Sequence, residues 1–503
     1  MTADLASHRL DELSIIFEDG DRSSRYPKAN EFLSVGYHPF LNTKNISDNH
    51  FDWSEINYIS DNKFSEIKKG RVEANDIVIA TRGSKLGKVA FYEKDNWGQP
   101  LINAQLLIIR CKDDRLYPKF LWYLLTSASG QAQIESLKSG SAQPQLPVRD
   151  LKKFEVEYPG YEEQVQIVKT LDALNNKRIL NRQTNQTLEQ IAQAIFKSWF
   201  VDFEPVKAKI AAIQNGRARQ DGERSANQTK TPNVSFDVNW PEAVAGAIAK
   251  GDPELAAMCA ISGKTEEQLK GLDEATLQQL KTTAALFPDA LVESELGEIP
   301  EGWVVGTMQD CCVRVESGGT PKRSEDSYWG GNVKWLSSGE VRGIIILDTK
   351  ERITEKGLKN SSAKLWPKGS TVIAMYGATA GQVCLLADDM TANQACCALI
   401  PTNNQKSYIF LAARRSIEEL AGKASGSAQQ NLNKSLVSEH KLLSPSDNVL
   451  TAFEAVASNL INKWQQNSEE NVVLSDARDA LLPKLLSGEI SLNVTGTVEA
   501  AVV

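Results

Sequence analysis

The sequence predicts an α+β protein with two tandem mixed α/β domains, separated by two long helices that form an antiparallel intramolecular coiled coil. Three observations support this fold class. The chain has 503 residues, enough for several compact domains. It contains an internal repeat, and each copy ends in a long stretch with helical periodicity.

The internal repeat keeps one offset over its second half. Gly140-Ser141-Ala142-Gln143 recurs as Gly426-Ser427-Ala428-Gln429, an offset of 286 residues. The same offset pairs identical residues further along the chain: Leu146 with Leu432, Pro159 with Pro445, Leu174 with Leu460 and Leu188 with Leu474. Upstream, the match requires small gaps, so loops there differ in length. Identities across both a loop and a following helix indicate two tandem copies of one module.

Each copy ends in a predicted long helix. Residues 161–200 contain no Pro or Gly, and apolar residues recur there at three-four spacing. The partner segment, residues 448–482, carries a matching stripe that continues to Leu485, and Pro483, near its end, is the only interruption. At ~1.5 Å per residue, a helix of about 40 residues extends ~60 Å, more than one compact domain needs. We therefore expect the two stripes to pack on each other, although packing of each helix on its own globular domain stays open.

The region before each helix is predicted to be mixed α/β, because glycine-containing turns separate short apolar runs. The strand-like runs are residues 76–81, 88–92, 101–111, 370–375, 382–386 and 395–400, and the helical pieces are residues 118–127 and 406–420. The predicted domains are a first globular copy at 1–158, the first long helix at 159–206, a linker with a small helical insert at 207–294, a second globular copy at 295–445, the second long helix at 446–492 and a tail at 493–503.

Composition excludes several classes of protein. Hydrophobic residues make up 41% and charged residues 24%, as in ordinary globular proteins. No apolar run approaches the ~20 residues of a membrane span, and the N-terminus is polar, so we expect a cytoplasmic protein without membrane association. Seven cysteines with no C-x-x-C pair and only four histidines support neither a disulfide framework nor a metal site. A net charge of -8 argues against non-specific coating of nucleic acid but allows local basic patches.

Catalytic motifs are missing from the sequence. The segment from Gly83 to Lys88 is one residue short of a phosphate-binding P-loop, and Gly263-Lys264-Thr265 has Met258 where the first glycine would stand. No G-x-G-x-x-G, G-x-S-x-G or H-E-x-x-H occurs, and no Pro-Pro pair is available for an adenine methyltransferase loop. We predict a duplicated recognition module with no catalytic residues.

Five further segments are informative as motifs: LEQIAQAIFKSWFVDF at 188–203, ELGEIPEGW at 295–303, SGGTPK at 317–322, YWGGN at 328–332 and DALLPKLLSGEI at 479–490. These segments resemble those of specificity subunits of type I restriction-modification systems. They span most of the chain, and their order and duplication make the resemblance specific. One departure is that the first copy lacks the Gly-x-Ile-Pro-x-Gly-Trp start and begins instead with HRLDEL at 8–13.

The resemblance implies a non-catalytic subunit that recognises a bipartite site in double-stranded DNA, with one target-recognition domain for each half. Two modification subunits, which use S-adenosylmethionine to methylate adenine N6, and two restriction subunits, which use ATP, would be its partners. The chain itself would bind neither cofactor. A stand-alone bipartite DNA-binding regulator is the alternative, which the acidic composition favours less. A methyltransferase or nuclease is disfavoured by the missing motifs.

DNA-contacting residues are expected on loops, as Arg, Lys, Asn and Gln side chains. The candidates in the first copy are Arg82, Lys85, Lys88, Gln105, Ser141 and Gln143. Those in the second are Lys322, Arg323, Lys334, Tyr376, Gln394, Ser427 and Gln429, of which Tyr376, Gln394, Ser427 and Gln429 are taken to match Arg82, Gln105, Ser141 and Gln143. Structural turns and buried glutamines are an alternative for the repeated residues, and simple solvated charge is an alternative for Lys85 and Lys88.

An aromatic cluster lies at the end of the first predicted long helix. Trp199, Phe200 and Phe203 are candidates for binding a partner subunit. A role in the core or in the helix pair is the competing interpretation, and it is the more common role for such a cluster.

Overall fold

A computed structural model describes residues 5–47, 49–94, 98–140, 144–224, 240–376, 379–417, 419–420, 432–492 and 498–500. The chain divides into two compact units. The first unit combines residues 1–179 with residues 471–503, and the second comprises residues 180–470. Each unit therefore contains one globular copy together with parts of both long helices.

The first copy is built on a four-stranded antiparallel sheet. Its strands, in spatial order, are Ile15–Asp19, Leu106–Cys111, Ile77–Ala80 and Val89–Phe91. Successive residues of a strand point to opposite faces, and here both faces are covered. Ile77 and Ile79 join one apolar core, whereas Val78 and Ala80 join another. This double burial explains why the strand sequences are continuously apolar.

Smaller elements complete the first copy. A three-stranded sheet has the order Asn57–Ile59, His38–Leu41 and Leu101–Ile102, and the pairs Ala6–Arg9 with Glu155–Tyr158 and Ile46–Ser47 with His50–Phe51 are antiparallel. The α-helices are Asp61–Glu66, Pro118–Thr126, Ala128–Ser136 and Val148–Leu151, and the 3-10 turns are Leu10–Glu12, Ala29–Glu31 and Thr43–Asn45.

The second copy repeats this plan. Its main sheet has the order Cys312–Ser317, Cys396–Pro401, Thr371–Ala374, Val383–Leu386 and Ile345–Ile346. A three-stranded sheet has the order Glu351–Ile353, Trp329–Leu336 and Thr391–Ala392, and two further pairs are Val304–Thr307 with Lys441–Ser444 and Leu291–Ser294 with Gly297–Pro300. Its α-helices are Glu355–Lys359, Lys406–Arg415 and Lys434–Ser438, and its 3-10 turns are Asp326–Tyr328, Ser338–Glu340 and Asn403–Gln405.

Two glycines show how closely the copies agree. Gly20 and Gly318 each follow the first strand of the main sheet. A Cβ atom on Gly20 would lie 2.2 Å from the carbonyl oxygen of Asn103, and a Cβ atom on Gly318 would lie 2.2 Å from that of Asn393. Such an approach is possible only without a side chain. The duplication therefore extends from the strands into the loops.

The two long helices are Tyr161–Phe200 and Asp447–Leu486. Within the second unit they run antiparallel, because Asn181 bonds Glu470 near one end and the Phe196 ring contacts Phe453 near the other. Within the first unit, Ile167 and Leu171 of the first helix share a core with Leu482 and Leu485 of the second. The predicted antiparallel helix pair is confirmed. The second helix also continues past Pro483 and ends at Leu486.

Between the copies lies a helical segment with a core of its own. Its helices are Glu204–Arg224, Glu242–Lys250, Pro253–Ser262, Glu266–Lys270 and Glu274–Ala285. Ala208 and Ala212 of the first of these pack with Ala256 and Ala257 of the third. The polar stretch from residue 215 is therefore helical as far as Arg224, although its composition is that of a spacer. A last pair of strands, Ile490–Leu492 and Val498–Ala500, follows the second long helix.

Candidate nucleic-acid interface

Five loops of the first copy are joined by hydrogen bonds. The loop at residues 103–105 is central, because three other loops bond to it. The bonds are Arg22 Nη2 to Ala104 O at 3.2 Å, Thr43 Oγ1 to Gln105 Oε1 at 3.5 Å, Thr81 N to Gln105 O at 2.8 Å and, for the fifth loop, Leu146 N to Thr81 O at 3.0 Å. The arrangement places residues from separate parts of the sequence on one surface.

The turn at residues 81–87 carries the predicted basic residues of the first copy. Gly83 and Gly87 have φ angles of +84° and +86°, which favour glycine, and the Gly87 amide donates to Ala80 O at 2.8 Å. Arg82, Lys85 and Lys88 are exposed, and the described residues offer none of them an ion-pair partner. Cations without a counterion are well suited to phosphate or base contact.

Gln105 lies beside this turn. The Gln105 side chain is exposed, and the Gln105 backbone N–H donates to Asn103 Oδ1 at 3.0 Å. Asn103 holds the backbone, and the exposed Gln105 side chain accepts a hydrogen bond from Thr43 Oγ1 at 3.5 Å. The structure thus brings Gln105 together with the Arg82 turn, as a shared binding surface requires.

The same loops meet in the second copy. Met375 N donates to Ala395 O at 2.7 Å, Leu432 N donates to Met375 O at 3.0 Å, and Asn393 N donates to Leu336 O at 3.0 Å. Thr379 Oγ1 donates to Ser338 O at 2.9 Å. The bonds of Met375 N, Leu432 N and Asn393 N are equivalent to those of Thr81 N, Leu146 N and Asn103 N in the first copy, so this part of the scaffold is duplicated.

These bonds correct one predicted match between the copies. Ala395 N donates to Asn393 Oδ1 at 3.1 Å, as Gln105 N does to Asn103. Gln105 therefore corresponds to Ala395, and Gln394 corresponds to Ala104. Gln394 is exposed but lies one position away, where its side chain accepts a hydrogen bond from Thr320. Matching glutamine to glutamine was wrong, because the backbone register is set by the asparagines.

The predicted cations of the second copy differ in their surroundings. Lys322 is exposed, and the described residues give it no ion pair. Arg323 forms a two-point ion pair with Glu351 at 2.5 and 3.0 Å and lies 3.8 Å from the centre of the Trp329 ring. Lys334 is half-buried and bonds Asp388 at 2.8 Å and Leu347 O at 2.9 Å. Lys334 is thus engaged inside the domain, so its charge is already compensated.

Tyr376 follows the strand Thr371–Ala374 at the place of Arg82, and its side chain is 38% exposed. Four further predicted residues, Ser141, Gln143, Ser427 and Gln429, lie outside the described residues. The neighbouring positions that are described, Leu146 and Leu432, bond to the turns of Thr81 and Met375 as stated above.

Three exposed basic residues next to these loops are missing from the sequence predictions. Arg22 bonds the central loop of the first copy, and Lys44 lies in the 3-10 turn that contacts Gln105. Arg342 follows the corresponding turn of the second copy and is exposed. For Arg22, the signal in the sequence is its place two residues after Gly20, which matches the place of Thr320 after Gly318.

Comparison with known proteins supports the family that the sequence motifs indicate. The family model for the type I restriction modification DNA specificity domain matches residues 6–190 and 300–449. The chain belongs to this family. It is therefore a DNA specificity subunit of a type I restriction-modification system, and it recognises DNA sequence rather than catalysing a reaction. The family membership predicted from the sequence motifs is confirmed.

Individual relatives cover nearly the whole chain. It is 29% identical to the type I restriction enzyme HindI specificity subunit of Haemophilus influenzae, over 94% of this chain and 98% of that one. It is 23% identical to the MjaIX specificity subunit of Methanocaldococcus jannaschii, over 84% and 79% of the two chains. The crystal structure of the type I restriction-modification S subunit from M. genitalium is 16% identical, with 96% of each chain covered and a TM-score of 0.52. This structure supports the fold.

The aromatic residues predicted for partner binding by the specificity subunit are buried. Trp199, Phe200 and Phe203 are 1%, 4% and 8% exposed. Trp199 packs edge to face on Phe287, and Phe200 packs on Tyr408. With so little exposed area, the three rings contribute to the core of the second unit and offer no surface to a partner in this conformation. The reason is that the first long helix ends inside the second copy.

The cysteines of the specificity subunit are not suited to nucleophilic chemistry. Burial raises the pKa of Cys312, Cys396 and Cys397 to about 12, so these thiols stay protonated at neutral pH. Among the described residues, no group of His, Cys, Asp and Glu is arranged to hold a metal ion. Within the same part of the chain, none of the helices is both long and apolar enough to cross a membrane.

Proposed function

We propose that this specificity subunit recognises a bipartite site in double-stranded DNA, with one half-site for each globular copy. The observation that carries the proposal is the duplicated set of loops on a duplicated scaffold. Residues that hold the loops, such as Asn103 and Asn393, are the same in both copies. Exposed residues, such as Arg82 and Tyr376, differ. Identical supports with different exposed side chains suit two domains that recognise different bases.

The first copy is expected to make the stronger phosphate contacts. Its Arg82 turn carries three exposed cations, whereas Arg323 and Lys334 of the second copy are ion-paired. Unpaired lysines and arginines gain more from phosphate, because no internal partner has to be replaced. In the second copy, the exposed candidates for base or backbone contact are Lys322, Arg342, Tyr376 and Gln394.

We further propose that two modification subunits and two restriction subunits assemble on the chain in the cytoplasm. S-adenosylmethionine for adenine-N6 methylation and ATP for restriction are assigned to those partners. The role of this chain is then to bring the target adenines within reach of the methyltransferase, which extrudes the base from the duplex.

The decisive experiment is to express the chain with its cognate modification subunits and to map methylated adenines in host DNA. Two half-sites separated by a constant number of base pairs are expected, with methylation lost when either half-site is changed. A control with the chain omitted should show no methylation at these sites. Methylation at a continuous site, or at sites with variable spacing, would contradict the bipartite proposal.

A second measurement distinguishes the proposed subunit from the alternative, a stand-alone DNA-binding regulator. The purified chain, incubated with labelled methyl donor and mixed DNA, should transfer no methyl group. Tight, sequence-specific binding by the chain alone, together with unmethylated host DNA, would favour the regulator. Transfer by the chain alone would refute both.

A further inference from the structure

A threonine hydroxyl binds one exposed glutamine in each globular copy. Thr43 Oγ1 donates to Oε1 of Gln105 at 3.5 Å, and Thr320 Oγ1 donates to Oε1 of Gln394 at 2.5 Å. Both glutamines are exposed, and both threonines are half-buried. The bonds join loops that are 62 and 74 residues apart in sequence, so only the folded chain forms them. Each copy therefore contains the same pair of side chains within its candidate interface.

The two pairs occupy different positions of the shared scaffold. Backbone hydrogen bonds and the glycines at 20 and 318 set the equivalent positions, which are Arg22 with Thr320, Thr43 with Ser338, Ala104 with Gln394 and Gln105 with Ala395. Where one copy has the threonine-bound glutamine, the other has alanine. The scaffold thus requires no glutamine at either position, yet each copy has one with its threonine. This points to a role in contact with a ligand rather than in support of the backbone.

The hydroxyl contact determines how the amide group of each glutamine is oriented. Because the threonine donates to Oε1, Nε2 is directed away from it. For Gln105, Nε2 lies 4.0 Å from the place of a Cβ atom on Gly83, within the turn that carries Arg82. The described residues offer no hydrogen-bond acceptor to Nε2 of either glutamine. A side chain that is already held loses less rotamer freedom on binding, so these donors are preorganised for a ligand.

The remaining hydrogen-bonding groups of a held glutamine match adenine. Oε1 keeps one lone pair, and Nε2 carries two N–H donors. In the major groove, adenine presents the N7 acceptor beside the N6 amino donor, and glutamine can pair with both at once. Guanine presents two acceptors, N7 and O6, so Oε1 would face O6 without a proton between them. Cytosine and thymine each offer one hydrogen-bonding group in that groove, so they cannot form the two-point contact.

We propose that Gln105 and Gln394 each bind the major-groove edge of an adenine, one in each half-site, and that Thr43 and Thr320 are positioning residues for them. The copies then use the same chemistry from neighbouring positions of one loop. The contacted adenines are therefore expected at different places relative to the rest of each half-site. This inference rests on the proposed function, because it requires that each copy binds its own half-site.

The experiment measures binding of the full chain, with its modification subunits, to duplexes that contain the mapped site. In these duplexes, 7-deazaadenine replaces one adenine at a time, which removes the N7 acceptor and keeps the base pair. One adenine in each half-site should be sensitive, and its replacement should weaken wild-type binding about tenfold. Q105A should abolish this sensitivity in one half-site only, and Q394A should abolish it in the other.

The positioning role is measured with T43V and T320V, which remove the hydroxyl and keep the shape of the side chain. Each variant should keep its Tm within about 3 °C of wild type, because these residues lie in surface loops. The sensitivity to 7-deazaadenine should fall to about threefold in the corresponding half-site, since the amide is no longer held. T43S and T320S restore the hydroxyl and should restore the sensitivity. The matched control is S338A, at the place of Thr43 in the copy that has Ala395, and it should leave the sensitivity unchanged.

The outcomes are distinguishable. If Q105A and Q394A keep the wild-type sensitivity, recognition of adenine is overturned. If T43V and T320V are folded and keep it, the positioning role is overturned. Unfolding of both T43V and T43A would show that the hydroxyl acts in stability, which also overturns the positioning role. Sensitivity to 7-deazaguanine alone would assign guanine in place of adenine and overturn the proposal. A continuous site in the methylation map would instead refute the bipartite function.

Discussion

The two globular copies of this specificity subunit share a scaffold and differ in what they expose. Gly20 and Gly318 pass equally close to an asparagine carbonyl, and Asn103 and Asn393 cap the same loop. The turn that follows the central strand, however, differs between the copies. In the first copy it carries three cations that have no ion pair among the described residues, and in the second it carries Tyr376 at the place of Arg82. The repeated residues are those that hold the backbone.

This difference shows which changes the module tolerates. A loop supported by backbone hydrogen bonds keeps its position when its exposed side chains change, because those side chains contribute little to its stability. Recognition is then free to diverge while the fold is retained. Four experiments test this comparison, from the largest expected effect to the smallest.

The largest effect, a loss of stability, is expected for W199A. This variant should weaken the core of the second unit and leave the core of the first unit intact. Trp199 is fully buried among aromatic rings of the second unit, so its loss should cost about 3–5 kcal/mol. Denaturant unfolding measures the free energy, and hydrogen exchange should show that protection falls in the second unit and persists in the first.

The matched control is I191A on the same helix. Ile191 is 42% exposed, and its replacement should change stability by less than about 0.5 kcal/mol. A W199A chain of normal stability that no longer co-purifies with the modification subunit would restore the original prediction of partner binding.

The second experiment tests the equivalence of the scaffolds with G20A and G318A. In each case the new Cβ atom meets a backbone oxygen at 2.2 Å, so each change should cost about 3 kcal/mol or more. Thermal unfolding should show similar losses for the two variants. G160A is the control, since nothing lies within 4 Å of its added atom. Unequal losses would show that the two loops are supported differently.

The third experiment tests divergent recognition with R82A and Y376A. Each should weaken DNA binding by about 1–3 kcal/mol and relax sequence preference in one half-site only. Binding to sets of DNA duplexes that vary one half-site at a time measures the effect. If both variants alter the same half-site, the assignment of one half-site to each copy fails.

The smallest effect is expected for K85A and K88A. Both lysines are exposed and unpaired among the described residues, so they are expected to contact phosphate. Each change should reduce the slope of log affinity against log salt by about 1 and weaken binding to all sequences alike. K334A is the control, because Lys334 is ion-paired with Asp388. An unchanged slope in K85A and K88A would mark these lysines as solvated charges.

Much of the fold was predictable from local patterns. The first long helix occupies residues 161–200 as predicted, because a run without Pro or Gly and with three-four apolar spacing has few other stable conformations. The strand Ile77–Ala80 lies within the predicted run 76–81, and the strand Cys396–Pro401 extends one residue beyond the predicted run 395–400. The second helix continues to Leu486, although proline usually ends a helix. Packing of Leu485 and Leu486 in the first unit's core stabilises its last turn.

The site was less predictable, because its residues come together only through the fold. Arg82 and Gln105 are separated by 23 positions in sequence, and Thr81 joins their loops. The false match between Gln105 and Gln394 arose from residue identity, whereas the true match depends on which amide bonds Asn103 or Asn393. The ion pairs of Arg323 and Lys334 join segments that are distant in sequence, so no local sequence pattern predicts them.

The sequence by itself determined that this protein is a duplicated α+β module with two long amphipathic helices, because repeats and apolar periodicity are local properties of the chain. Its motifs also indicated the family. Only the tertiary structure decided which cations form ion pairs, which aromatic rings are buried and that Asn185 of the first long helix bonds Asn467 of the second. Those properties depend on contacts between residues far apart in sequence, which form only when the chain is folded.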